Sequence, residues 1–231
     1  MAKGKRKVPG INASSTADIS FILLIFFLVV TSMNSQEGLH VTLPRKDKIK
    51  DEKIPEIEKQ DILQVLINSN DEIRIVAGNM TDRDLENKFN LSEGSASKMK
   101  VEDLRKIVKA FIKNEEKMPA FPKVYNASLV YTEYDEKTGQ EKAKHTLPGG
   151  KSYDYTKDHV ITLTTDRETS YSIYFKVANE LYGAYNDLRE EMALEQYGKS
   201  YNDLNSNQRG VVSEYYKYKV FEAKPIDGSS Y

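Results

Sequence analysis

The sequence has no cysteine. That excludes disulfides, thiolate metal sites and cysteine nucleophiles, and it suits an oxidising exterior. Histidine is scarce. His40, His145 and His159 lie far apart without metal-ligand spacing, so they read as ordinary surface or strand residues. No Gly-x-Gly-x-x-Gly, P-loop or Gly-x-Ser-x-Gly occurs, which leaves no phosphate cradle and no nucleophile elbow. Charge of one sign is lacking too: 34 basic residues face 35 acidic ones, so nothing argues for nucleic-acid binding. The chain reads as a non-enzyme with no cofactor and no metal. Long apolar runs are also rare, and only one is long enough to span a bilayer.

That run extends from Ala13 to Met33. At about 21 residues it makes roughly 31 Å of helix, close to one hydrocarbon core. A single ionisable residue, Asp18, lies inside it. A carboxylate in a spanning helix costs a few kcal/mol or more, so by default it faces a protein partner or water and not lipid. Ser14 and Ser15 stand four and three positions earlier and share its helical face, while Leu24, Phe27 and Leu28 point elsewhere. The helix thus has a hydroxyl-lined acidic end and an apolar far end, which suits a proton better than a bulky ligand. A boundary position near headgroups and water would make Asp18 cheap, so position alone does not decide its role.

Lys3, Lys5, Arg6 and Lys7 precede the run, and the chain beyond it carries 30 cations against 34 anions. By the positive-inside rule the N-terminus stays in the cytoplasm and the remainder is exported, a single-pass N-in, C-out topology. A cleaved signal peptide would show the same basic, apolar and small-residue order. An acidic residue opening the apolar region, and Thr31-Ser32-Met33-Asn34 in place of Ala-x-Ala, favour the retained anchor.

Ile11 to Val30, INASSTADISFILLIFFLVV, resembles the membrane segment of the ExbD/TolR biopolymer-transport family. Asp18 stands where that family has its proton-carrying aspartate, and Ile11-Asn12 matches the dipeptide that often opens the motif. The family often has proline three residues before the aspartate; this chain has Ser15. Gly38 to Pro44 is similar to the short strand ending in Leu-Pro that comes after the membrane segment, which makes Leu39, Val41, Leu43 and Pro44 a candidate partner or dimer strand. Thr165-Asp166, with Tyr171, Tyr174 and Val177 beyond it, resembles the family's strand-to-helix junction.

The resemblance implies a fold made of one N-terminal transmembrane helix plus an α+β periplasmic domain, a small sheet with two or more packed helices. The chain then divides into four stretches: a cytoplasmic 1–12, the helix 13–33, a strand and charged linker 34–60, and a domain 61–231 enlarged by an insertion at about 92–158. The linker is mostly charged and contains Pro55, so it reads as an extended tether. Ile62–Ile67 and Glu72–Val76 read as strands joined by the turn residues Asn68–Asp71. Thr81 with Asp84 forms a capping box for a helix through Leu85 and Phe89. Val101, Leu104, Ile107, Val108 and Phe111 mark an amphipathic helix. Tyr125–Tyr134 and Lys142–Leu147 look like one hairpin turning at Asp135–Gly139 and ended by Pro148-Gly149-Gly150. An alternating strand over His159–Thr164 leads to a long helix capped by Ser170 and running to about Tyr197. A shorter helix between Ser206 and Tyr216 and a strand near Tyr218–Ala223 complete the chain. The 15 tyrosines read as half-buried packing, and the charges along 186–195 as a solvated helix face.

The functional expectation is an inner-membrane subunit of a proton-motive-force-driven motor. It would energise TonB-dependent outer-membrane transport or Tol-type envelope maintenance, with protonation of Asp18 coupling proton flow to motion. One helix cannot form a channel, so the resemblance implies an ExbB/TolQ-like partner, a TonB- or TolA-like transducer and a homodimer. The alternative is a membrane-tethered periplasmic binding or scaffold module in which Asp18 is incidental.

Overall fold

A computed structural model describes residues 13–32, 57–135 and 138–223. The chain divides into two compact units, Met1–Lys53 and Ile54–Tyr231. In the first unit the described element is helix α1, Ala13–Ser32.

The second unit is built on a four-stranded sheet. Its strands are β1 (Ile62–Ile67), β2 (Ile73–Ala77), β7 (Val160–Thr165) and β8 (Val220–Glu222), in the order β2-β1-β7-β8. β1 runs antiparallel to β2, while β1/β7 and β7/β8 are parallel. The β1–β2 turn closes as its Asn-rich sequence predicts: Asn68 Oδ1 accepts the amides of Asn70 and Glu72, and Asp71 takes a left-handed φ of 62°. Gly78 comes next at φ +55°, where a Cβ would overlap the carbonyl oxygen of Ala120, so only glycine fits.

Alternation decides what the sheet buries. Leu63, Val65, Ile67, Ile73, Ile75, Ala77, Ile161 and Leu163 are all buried, whereas Gln64 and Arg74 between them are exposed. The buried face joins one core with three helices, α2 (Asp82–Phe89), α3 (Val101–Lys113) and α4 (Tyr171–Tyr197). α2 carries the expected capping box, Thr81 with Asp84. On α3, Leu104, Ile107, Val108, Phe111 and Ile112 are fully buried. At about 2 kcal/mol for each large apolar side chain, that stripe makes the helix part of the core and not a surface ornament. α4 is capped by Ser170, ends on Gly198 at φ 64°, and buries Val177, Leu181, Ala184 and Leu188.

The charges along 186–195 are not simply solvated. Arg105, Lys109 and Lys113 recur every fourth residue of α3 and meet acids of α4: Arg105 bonds Glu180 (2.7 Å), Lys109 bonds Glu191 (2.5 Å), and Lys113 lies 3.4 Å from Glu191. Asp187 lies near Arg105 and Lys109, at 3.7 and 3.8 Å. Gly183 leaves room for the Arg105 guanidinium to lie across α4.

The hairpin expected over 125–147 is corrected. Val124–Ala127 (β3) pairs with Tyr153–Thr156 (β6), and only Tyr131–Tyr134 (β4) pairs with Glu141–His145 (β5). The break has a physical cause. Tyr215, on helix α5 (Ser206–Tyr215), accepts the Leu129 amide at 2.8 Å and donates to the Ala127 carbonyl at 3.0 Å, replacing the ladder between the two short strands. The Tyr215 ring also meets Tyr153 and Tyr155 edge-on, and Gly210 leaves space for the Tyr131 ring. Two segments far apart in sequence, 124–156 and 206–215, therefore pack as one layer.

His159 is neither on the surface nor idle. It is 1 % exposed; its Nδ1 donates to the Thr156 carbonyl (3.0 Å), and its Nε2 accepts from the Tyr185 hydroxyl (3.1 Å). The Lys219 amide donates to that same hydroxyl, and Thr156 Oγ1 donates to the Ile112 carbonyl, so one buried network ties together α3, α4 and the segments leading into β7 and β8. Burial, helped by the charge of Lys219, lowers the His159 pKa to about 4.

These contacts have two measurable consequences. Removing the Tyr215 hydroxyl in Tyr215→Phe leaves the Leu129 amide and the Ala127 carbonyl unpaired, and should cost about 1–3 kcal/mol in urea unfolding. For His159 the folded pKa lies below the unfolded one, so its contribution is complete above about pH 6.5 and is lost as pH falls toward 4. The loss should reach about 3 kcal/mol, and a His159→Gln variant should show a flatter stability profile across that window.

Candidate functional site

Asp18 lies on α1, one turn inside its N-terminal end. α1 places Ser14 and Ser15 four and three residues before it, on the same helical face. Side chains are described for residues 17–27 of this helix. The Asp18 side chain is exposed, and so are Ile19, Phe21, Ile22, Leu23, Leu24, Ile25, Phe26 and Phe27, at 45–62 %. Apolar side chains therefore stand on every side of the helix. A helix apolar all round belongs in a core or a bilayer. The backbone of α1, at 20 residues, runs about 30 Å. Its described side chains cover a shorter stretch, and among the described residues no helix is long and apolar enough to cross a membrane. The described helix runs to Ser32, and the expected Met33 lies outside the described residues.

The candidate strand Leu39, Val41, Leu43 and Pro44 lies outside the described residues, as does most of the charged linker. The strand-to-helix junction can be traced in detail. β7 ends at Thr165, and the Asp166 amide donates to the Ile67 carbonyl at the end of β1 (3.0 Å). Asp166 Oδ2 accepts the Ser69 amide (3.0 Å), and the Thr169 hydroxyl reaches the Ile67 and Asn68 carbonyls. Asp71 caps the junction from the other side by accepting the Ser170 amide, which holds its carboxyl below the ordinary range. Thr165-Asp166 thus locks the β1–β2 turn to the start of α4. Farther along α4, Val177 is fully buried. Tyr171 is 76 % exposed, and Tyr174 donates its hydroxyl to Glu222 at the end of β8. That bond, then burial, pushes the Tyr174 pKa up to about 12.

Among the described residues no group of three or more His, Cys, Asp or Glu is placed to hold a metal ion. The cleft between α3 and α4, about 580 Å³, is lined by the paired charges of the α3–α4 seam over Ala110, Met118, Phe121 and Leu188. Arg105, Lys109 and Lys113 in it are already bonded to acids of α4, and Lys106 lies over the Phe89 ring. Sequence reasoning missed β6, the buried role of His159 and the docking of α5. The signals were faint: a four-residue Tyr-Asp-Tyr-Thr strand after a Pro-Gly-Gly turn, and a lone histidine.

No curated protein matches the chain, and no solved structure does. A family model described as biopolymer transport protein ExbD/TolR matches residues 4–188, about four-fifths of the 231 residues. The match takes in Asp18, the sheet through β7 and most of α4, and it stops before α5 and β8. Members of that family serve energy transduction in biopolymer transport and are typically membrane-anchored. The chain belongs to the ExbD/TolR family.

Proposed function

We propose that this protein is a non-enzymatic subunit of an inner-membrane motor driven by the proton-motive force, and that Asp18 is the group that binds and releases the proton. The observation that carries the reading is the single carboxylate on an all-round apolar helix, in a chain whose family match runs from that helix into the folded domain. Neutral Asp18 tolerates an apolar wall; ionised Asp18 needs water or a donor on a partner helix. Alternation between the two states converts proton flow into helix rotation or a piston stroke. One charge crossing the full potential is worth about 2.3 kcal/mol per 100 mV, enough to bias such a switch.

In this proposal residues 13–33 span the membrane, 1–12 lie in the cytoplasm, and 34–60 tether the periplasmic unit. Ser14 and Ser15 supply the polar face beside Asp18. Leu39, Val41, Leu43 and Pro44 form a strand that pairs with a second copy or a transducer. The helix works inside an ExbB/TolQ-like proton channel, and the folded unit passes the motion to a TonB- or TolA-like protein. Whether the task is outer-membrane import or envelope maintenance is decided by that transducer. The segment 92–158, which enlarges the domain, provides α3 and the two short sheets.

Asn is nearly isosteric with Asp but carries no proton. Asp18→Asn in the native cell should abolish energised transport, to the level of a deletion, while the channel partner still co-purifies in wild-type amount. Full activity in that variant would sink the motor reading and leave a tethered scaffold in its place.

A further inference from the structure

Among the described residues three buried side-chain atoms have no hydrogen-bond partner: Asp61 Oδ1, Asp166 Oδ1 and the Tyr216 hydroxyl. Asp166 uses its other oxygen for the Ser69 amide, and Tyr216 is uncharged. Asp61 differs from both. It is 7 % exposed and closes a 3₁₀ turn, Lys59–Asp61, through which the chain enters β1. Its amide donates to the Glu58 carbonyl at 2.9 Å, which holds that turn.

The groups facing Asp61 are acids. Asp158 comes from the loop before β7, and Glu58 from the start of its own turn. β3 contributes Tyr125, whose hydroxyl donates to Asp158 (3.4 Å) and not to Asp61. Lys123 lies over the Tyr125 ring, and Lys219, ahead of β8, acts on Asp158 while its ammonium bonds the Lys157 carbonyl. No cation acts on Asp61 itself among the described residues. Nor is a metal the missing partner, because no set of ligands is placed for one among those residues.

A buried carboxylate oxygen without a donor is costly, and two neighbouring acids make the anion costlier still. A proton removes the charge and the repulsion together. We propose that Asp61 is a proton-binding site that latches the turn joining the tether to the sheet. Neutral Asp61 lets the Glu58–Asp61 turn rest against Asp158. Ionised Asp61 gathers three negative charges there, and the turn loosens. Burial first, then Asp158 and Glu58, hold this carboxyl above the ordinary carboxylate range. The latch would make the stiffness of the tether junction respond to the pH around the folded unit. It uses no residue assigned to the proton path at Asp18, so either idea survives failure of the other.

The test is a pH titration of the full-length chain in detergent micelles, with aspartate carboxyl carbons labelled for NMR. The Asp61 signal is assigned through the wild-type backbone and by its absence in Asp61→Asn. The expected midpoint lies above that of an ordinary aspartate, and shifts down in both Asp158→Asn and Glu58→Gln. Exchange of the Asp61 amide should quicken several-fold above that midpoint, beyond the intrinsic pH effect, and Asp61→Asn should abolish the step. A midpoint at or below the ordinary value overturns the proton site. A raised midpoint with no matching change in amide exchange overturns the latch.

Discussion

The folded unit depends on the parallel pairing of β1 with β7. Ile62 sits opposite Val160 and Ile67 opposite Thr165, so strands 98 residues apart run side by side in register. Parallel strands cannot be joined by a tight turn; the chain must leave the sheet, cross a face and return. Here the excursion does more than return. It leaves α3 behind as a core helix, and α3 in turn provides the surface on which α4 lies. The α3–α4 ion pairs then run along an interface that exists only because β7 has closed on β1. Each exposed pair is worth little by itself. Their regular spacing fixes the axial setting of the two helices more than it adds to stability.

The elements with strong periodicity or strong caps could be read from the chain. α2 has the Thr81–Asp84 box, α3 its apolar stripe and α4 its Ser170 cap, and each forms close to where the pattern puts it. The β1–β2 turn is equally legible, because four turn-forming residues separate two strongly apolar strands. What could not be read was decided by distant contacts. The chain from Tyr125 to Tyr134 looks like one strand, yet a hydroxyl from α5 takes the amide and the carbonyl that would have continued it. The acids of α4 look solvated until the cations of α3 are set against them. His159 gives no local sign of burial, since its partners come from positions 156 and 185.

The candidate site divides in the same way. Asp18 was visible because an ionisable residue inside an apolar run is rare and expensive, and that cost is legible from composition alone. Its surroundings are another matter, since in the proposed motor they would be supplied by other chains. Asp61 is the opposite case. In sequence it is one more acid at the end of a charged linker. Only the folding of Asp158 and Tyr125 toward it sets it apart.

The two-part layer stitched by Tyr215 bears on the order in which the protein can be completed. A chain emerging from its N-terminus first exposes β1 and β2, a hairpin with an apolar face and nothing to cover it. β7 arrives some eighty residues later, and the tyrosine that organises β3 to β6 later still. The short sheets made early must wait for a helix made late, and β8, which closes the edge of the main sheet, comes after that. During synthesis the unit thus stays open until α5 and β8 have appeared. Until then its apolar surfaces and open strand edges are the kind that invite aggregation.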